Sequence, residues 1–275
     1  MDFKWIATGG CVRGAAHIKN NMPCQDAFRL DKIMHSYIIS VSDGHGSTSC
    51  PYSDEGAKAA VDAAYTILKP IMENENPLAV IYASKDIRIP KQIEKHWKQS
   101  VLDIHTSNER DEHAPGDFPY ELYGATLLSM VAADNFVFAL QIGDGDILSV
   151  SKSGETTAPH AEWFIPPDEN LGPETNSLCQ DDCWQYMKTR LYMLEPGEDT
   201  PMFFLTTDGY INSFYDNNGF IKAGTDFYNI WKNEGVHYIE ANLDRWLTES
   251  SAQGSGDDIA VGLIFPKGQS GENIK

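Results

Sequence analysis

Tyr37-Ile38-Ile39-Ser40-Val41-Ser42-Asp43-Gly44-His45-Gly46 is an apolar, β-branched run that ends at an aspartate followed by glycines. Its length and composition predict a strand, and the glycines permit a tight turn in which the backbone approaches a ligand closely. Asp43 and His45 are therefore expected together where the strand ends. The chain repeats this device. Phe136–Ile142 runs into Gly143-Asp144-Gly145-Asp146, Met202–Thr207 runs into Asp208-Gly209, and Gly256-Asp257-Asp258 opens the reversed copy Ile259–Phe265. Four strands carrying carboxylates at one end predict a shared acidic cluster.

Outward from these strands, Phe3–Gly10 reads as a strand ending at a diglycine, and Gln25–Leu30 as a strand pairing with 37–42. No Lys-Ser/Thr follows Gly9-Gly10 and Gly14, which excludes a nucleotide-binding loop of the Walker type. Asp54–Leu68 has acids in its first turn and small or apolar residues at helical spacing, with Pro70 as its stop. A second helical region, about 77–108, is interrupted at Pro90 and presents Ile93, Trp97, Val101, Leu102 and Ile104 on one face. Strands at 125–132 and 136–142 are joined through Asp134-Asn135, and helices at 226–232 and 236–250 precede the last strand. Paired strands with helices set outside them give an α+β layered domain, expected to be one unit over 1–275. The Pro- and Gly-rich stretch 152–198 is read as a flap over the site, and 266–275 as a frayed tail.

The chain has 21 basic and 40 acidic residues, a formal charge of −19, which argues against a nucleic-acid backbone or an anionic membrane as partner. With 41% hydrophobic and 11% aromatic residues it can bury a large core. Neither an apolar run of about 20 residues nor a signal-peptide pattern is present, so a cytoplasmic protein is expected. The five cysteines include no CxxC pair and fit reduced thiols, not a disulfide framework.

Carboxylates and a carbonyl are the ligands of hard divalent cations such as Mg²⁺ and Mn²⁺, and Asp26, Asp43, Asp208 and Asp257 are the acids placed to supply them. The motifs, taken in order, resemble the metal-dependent protein phosphatase (PPM, protein phosphatase 2C) family. Gln25-Asp26-Ala27, Ser42-Asp43-Gly44-His45-Gly46, Gly124-Ala125-Thr126-Leu127, Gly143-Asp144, Thr207-Asp208-Gly209 and Asp257-Asp258-Ile259-Ala260-Val261 are similar to six motifs of that family. Cys24-Gln25-Asp26-Ala27 places the likeness nearest its divergent bacterial branch.

The resemblance implies a four-layer α-β-β-α sandwich with two central antiparallel sheets and the metal site at one end. It implies two Mn²⁺ or Mg²⁺ ions bridged by Asp43, with Asp26 and the Gly44 carbonyl on one side and Asp208 and Asp257 on the other. It further implies His45 as general acid, a metal-held hydroxide as nucleophile without a phosphoenzyme, and a phosphorylated protein as substrate of a monomeric signalling enzyme. Three features depart from the pattern. Gly145-Asp146 replaces the usual Ser-Arg after Asp144, and Asn212 stands where the family has a second aspartate, so Asp144 is a candidate for a third ion without its usual companions. The phosphate-binding arginine is matched by Arg13 or His17, of which Arg13 is the better bidentate clamp. Two other readings stay open at this point: a phosphoprotein-binding pseudophosphatase, and a phosphatase of phosphotyrosine or small phosphomonoesters.

Overall fold

The structure, a computed structural model, describes residues 4–110, 113, 117–152, 158–167, 175–195 and 199–267. Its strands are β1 (Trp5–Val12), β2 (Ala27–Ile33), β3 (Ser36–Ser42), β4 (Leu127–Ala132), β5 (Phe136–Ile142), β6 (Asp146–Lys152), β7 (Pro159–Trp163), β8 (Lys188–Met193), β9 (Met202–Thr206) and β10 (Ile259–Pro266). They form two five-stranded antiparallel sheets, β1-β10-β9-β6-β7 and β2-β3-β4-β5-β8. Helices α1 (Ala15–Lys19), α2 (Ser53–Met72), α3 (Pro77–Ser84), α4 (Arg88–Ser107), α5 (Asp208–Ile211), α6 (Asn217–Glu234) and α7 (Val236–Gln253) complete the element order.

The period-2 geometry of the strands explains why the strand sequences are apolar throughout, because both faces of each sheet are covered. In β3, Ile39 and Val41 join Leu128, Phe203 and Ile264 between the sheets. Their neighbour Ile38 turns outward to a cluster with Ala60, Ala64 and Trp97 of α2 and α4. On the opposite side Phe204, Val261 and Phe265 pack against Trp231 of α6 and Leu247 of α7. The expected α-β-β-α sandwich is what forms.

Prolines fall differently from their sequence reading. Helix α2 continues through Pro70 for two more residues, at the cost of the Pro70 backbone bond, and Met72 is buried there. The break in the next region lies at 85–87, and Pro90 sits in the first turn of α4, where its missing N–H is not needed. The stretch 152–198, read as a flap, contributes edge strands to both sheets in its described parts, β7 beside β6 and β8 beside β5. The rest of that stretch, and 268–275 of the tail, lie outside the described residues. Among the described residues no helix is long and apolar enough to cross a membrane.

Trp97 is fully buried between α2 and α4, and its indole N–H donates to the Gly56 carbonyl at 2.9 Å. Trp97→Ala is expected to cost about 3–5 kcal/mol by leaving a cavity, read as a shifted denaturant midpoint. A loss below about 1 kcal/mol would contradict this packing.

Candidate active site

The antiparallel register gathers the acids at one end of the sandwich. Ala27 pairs with Ser42, so Asp26 precedes β2 beside Asp43 at the end of β3. In the other sheet Val261 pairs with Thr206, which sets Asp208 after β9 beside Asp257 and Asp258 before β10. Asp144 lies in the turn that carries the chain from β5 in one sheet to β6 in the other.

Local backbone chemistry fixes these positions. Asp43 N–H donates to Thr126 Oγ1 at 3.0 Å, and Thr126 N–H returns a bond to the Asp43 carbonyl at 2.8 Å. Gly44 N–H donates to the Gln25 carbonyl at 3.1 Å, tying the β2 and β3 ends together. The sheets are joined by Thr207, whose hydroxyl donates to Asp26 Oδ2 at 2.6 Å. Gly143 adopts φ +107°, a conformation favouring glycine, and a β-carbon there would stand 2.4 Å from Thr126 Cγ2.

Asp43, Asp144 and Asp208 each present a carboxylate oxygen, and these atoms lie within 4.8 Å of one another. Asp144 thus stands with Asp43 and Asp208 instead of apart from them, and it also accepts a bond of 2.5 Å from the Thr175 hydroxyl. Asn212 Nδ2 donates to Asp208 Oδ2 at 2.9 Å, so the residue in the family's second aspartate position braces the carboxylate. Burial, Asp208, Asp144 and Asp257 push Asp43 well above the usual carboxylate range, against a hydrogen bond with Asp26. Burial and Asp43 do the same to Asp26, against the Thr207 hydrogen bond. Burial, Asp144 and Asp257 push Asp208 up to about 7. Carboxylates held this close, with oxygen donors only in the cluster, fit hard divalent cations.

Asp257 is half-exposed and lies 3.5 Å from His17 Nε2, and His17 Nδ1 lies 2.8 Å from Asp258. Asp258, read from the sequence as a strand-cap residue, is buried and accepts the Gly14 and Gln25 amides at 2.6 Å each. It therefore stitches the ends of β1, β10 and β2. His17 faces carboxylates with both ring nitrogens, whereas Arg13 is exposed next to Gly14 and has no carboxylate partner among the described residues.

His45 follows Gly44 and is fixed by its N–H to the Gly124 carbonyl at 3.1 Å, and its Nε2 lies 2.7 Å from Ser177 Oγ. Burial lowers its pKa, and Asp144 opposes the shift. Thr207 stands in the Thr207-Asp208-Gly209 motif, but its bond to Asp26 across 181 residues was not legible, nor was Ser177, which comes from the irregular stretch before β8.

The raised Asp208 pKa has a sign. Its folded value, about 7, exceeds the ordinary 3.8, so the stability it contributes is full below about 4 and lost as pH rises through about 7. The EDTA-treated protein is expected to melt at lower temperature as pH rises over this window, and Asp208→Asn to flatten that slope. An unchanged slope in the variant would count against the crowding of these acids.

A family model described as Protein phosphatase 2C matches residues 13–248. Among curated proteins none matches the chain. Its fold is similar to the catalytic domain of the serine/threonine protein phosphatase PstP in complex with two manganese ions, with TM-score 0.60 and 14% identity over 94% of this chain and 97% of that one. It is also similar to the S. agalactiae serine/threonine phosphatase, with TM-score 0.61 and 14% identity over 96% and 100%. PppA, a regulatory component of T6SS in Pseudomonas aeruginosa, gives TM-score 0.58 and 14% identity over 96% and 98%.

Proposed function

The chain belongs to the protein phosphatase 2C family, and on that premise we propose that it hydrolyses phosphoserine and phosphothreonine in proteins, using two divalent cations, Mn²⁺ or Mg²⁺. The observation that carries this is the convergence of Asp43, Asp144 and Asp208 from both sheets and the turn between them, with carboxylate oxygens within 4.8 Å. Asp43, Asp26 and the Gly44 carbonyl would hold one side of the cation pair, Asp208 and Asp257 the other, with Asp144 a further ligand for the cluster. When bound, such ions lower the pKa of water toward neutrality and neutralise charge on the phosphoryl group during in-line displacement.

The remaining work belongs to the chain. Arg13, exposed next to Gly14, whose backbone lies against that of Asp257, is the group to clamp phosphate oxygens bidentately. His45, held by the Gly124 carbonyl and Ser177, gives a proton to the departing serine or threonine oxygen. No side chain need be phosphorylated on this route. Asp26, buried and bonded by the Thr207 hydroxyl, lies against Asp43.

A panel of phosphopeptides with Mn²⁺ tests the substrate class. Turnover of phosphoserine and phosphothreonine peptides at least about tenfold above matched phosphotyrosine peptides is expected. Preference for phosphotyrosine, or turnover confined to small phosphomonoesters, would overturn the reading.

A further inference from the structure

Ser177 lies in the segment between Thr175 and the short helical turn Cys183–Tyr186, and it is only 3% exposed. Its backbone is anchored by Ser177 N–H, which donates to Gln180 Oε1 at 3.1 Å, and by Leu178 N–H to the Ala125 carbonyl at 3.0 Å, while the Ser177 hydroxyl oxygen accepts the Cys179 N–H at 3.5 Å. Its hydroxyl donates to the same Ala125 carbonyl at 3.1 Å. A hydroxyl carries one proton, and a carbonyl only accepts. With its proton on the Ala125 carbonyl, the serine oxygen accepts from His45 Nε2, 2.7 Å away, in the tautomer that carries hydrogen on that nitrogen. The Cys179 thiol, 3.3 Å from that oxygen, approaches it as a further donor.

The same edge of the imidazole is closed by Gly124, where a β-carbon would stand 2.5 Å from His45 Cδ2. With the Cδ2 and Nε2 edge held against Gly124 and Ser177, Nδ1 on the other flank of the ring is the nitrogen left to hold and release a proton. We propose that Ser177 is a positioning residue that fixes the tautomer and orientation of His45, so that Nδ1 serves the leaving oxygen. This rests on the reading of His45 as proton donor, and neither the sequence motifs nor the family likeness points to Ser177.

A group that assists proton donation matters most when the leaving oxygen is a poor one. The test compares kcat on a phosphoserine peptide, whose alkoxide leaves poorly, with kcat on p-nitrophenyl phosphate, whose phenolate leaves well. Wild type, Ser177→Ala, Ser177→Cys, His45→Gln and the Ser177→Ala/His45→Gln double variant are measured with saturating Mn²⁺. Ser177→Ala is expected to lower the peptide rate about tenfold more than the p-nitrophenyl phosphate rate, the low end of the cost of losing a ligand-orienting partner. The peptide KM should hold within about twofold, because only orientation at the reacting atoms changes. Ser177→Cys, which keeps the volume and a weaker acceptor, should fall between, and it carries the comparison if the alanine protein fails to fold. In the double variant the serine change should add nothing to the histidine change.

Equal slowing of both substrates by Ser177→Ala or Ser177→Cys, or additivity with His45→Gln, would overturn the positioning role while His45→Gln still discriminates. If His45→Gln itself slows both substrates equally, the proton-donor reading fails and the proposal with it.

Discussion

Asp43→Asn is expected to lower turnover by about 10³-fold, with Asp208→Asn close behind it. Asp43, at the end of β3, stands between acids of both sheets: burial and Asp208 raise its pKa most, and it meets Asp26 on its own sheet. An asparagine there removes the charge that would bind cations from either direction. Cation stabilisation of a phosphoryl transition state amounts to several kcal/mol, and each 1.36 kcal/mol is tenfold in rate. The substitution leaves the backbone bonds between Asp43 and Thr126 untouched and removes a like charge from a crowded cluster. The metal-free variant should therefore melt no lower than the wild type. Turnover within about tenfold of wild type at saturating Mn²⁺ would show that Asp43 is not the shared ligand, and a collapsed melting temperature would show that its role is in folding.

His45→Gln should produce the next largest loss, about 10²-fold or more on phosphoserine peptides. The loss should shrink sharply on p-nitrophenyl phosphate, because a good leaving group needs little proton assistance. Glutamine keeps a polar end within reach of Ser177 but cannot hold a transferable proton. Manganese affinity, measured by titration of the metal-free protein, should be unchanged, since His45 is absent from the carboxylate cluster. A variant that loses manganese and all turnover together would place His45 among the ligands instead.

Much of this arrangement was written locally in the chain. Asp43, Asp208 and Asp257 each sit at a strand end beside glycine, so the strand pattern and the turn pattern mark the same residue, and antiparallel pairing brings them to one end. The sandwich followed from apolar runs that cover both sheet faces. What stayed hidden depends on contacts distant in sequence. Ser177 meets His45 across 132 residues, and nothing in its neighbourhood has a period. Asp144 was legible as a member of the acidic cluster, and its place beside Asp43 and Asp208 comes from the turn between β5 and β6, although its neighbours Gly145 and Asp146, and Asn212, differ from the expected pattern. Strands β7 and β8 were missed for a compositional reason: as edge strands they are partly exposed and carry His160, Glu162, Lys188 and Arg190, which read as loop. The break near Pro90 was misplaced because proline in a first turn is compatible with the helix it seemed to end.

Whether the clustered acids hold the cations that drive hydrolysis is read by titrating Mn²⁺ into EDTA-treated protein while following both bound metal and hydrolysis of p-nitrophenyl phosphate. Turnover is expected to rise with occupancy, saturate near two ions per chain and return to background on adding EDTA. Two ions bound to folded protein without turnover, or turnover that persists in EDTA, would contradict this expectation.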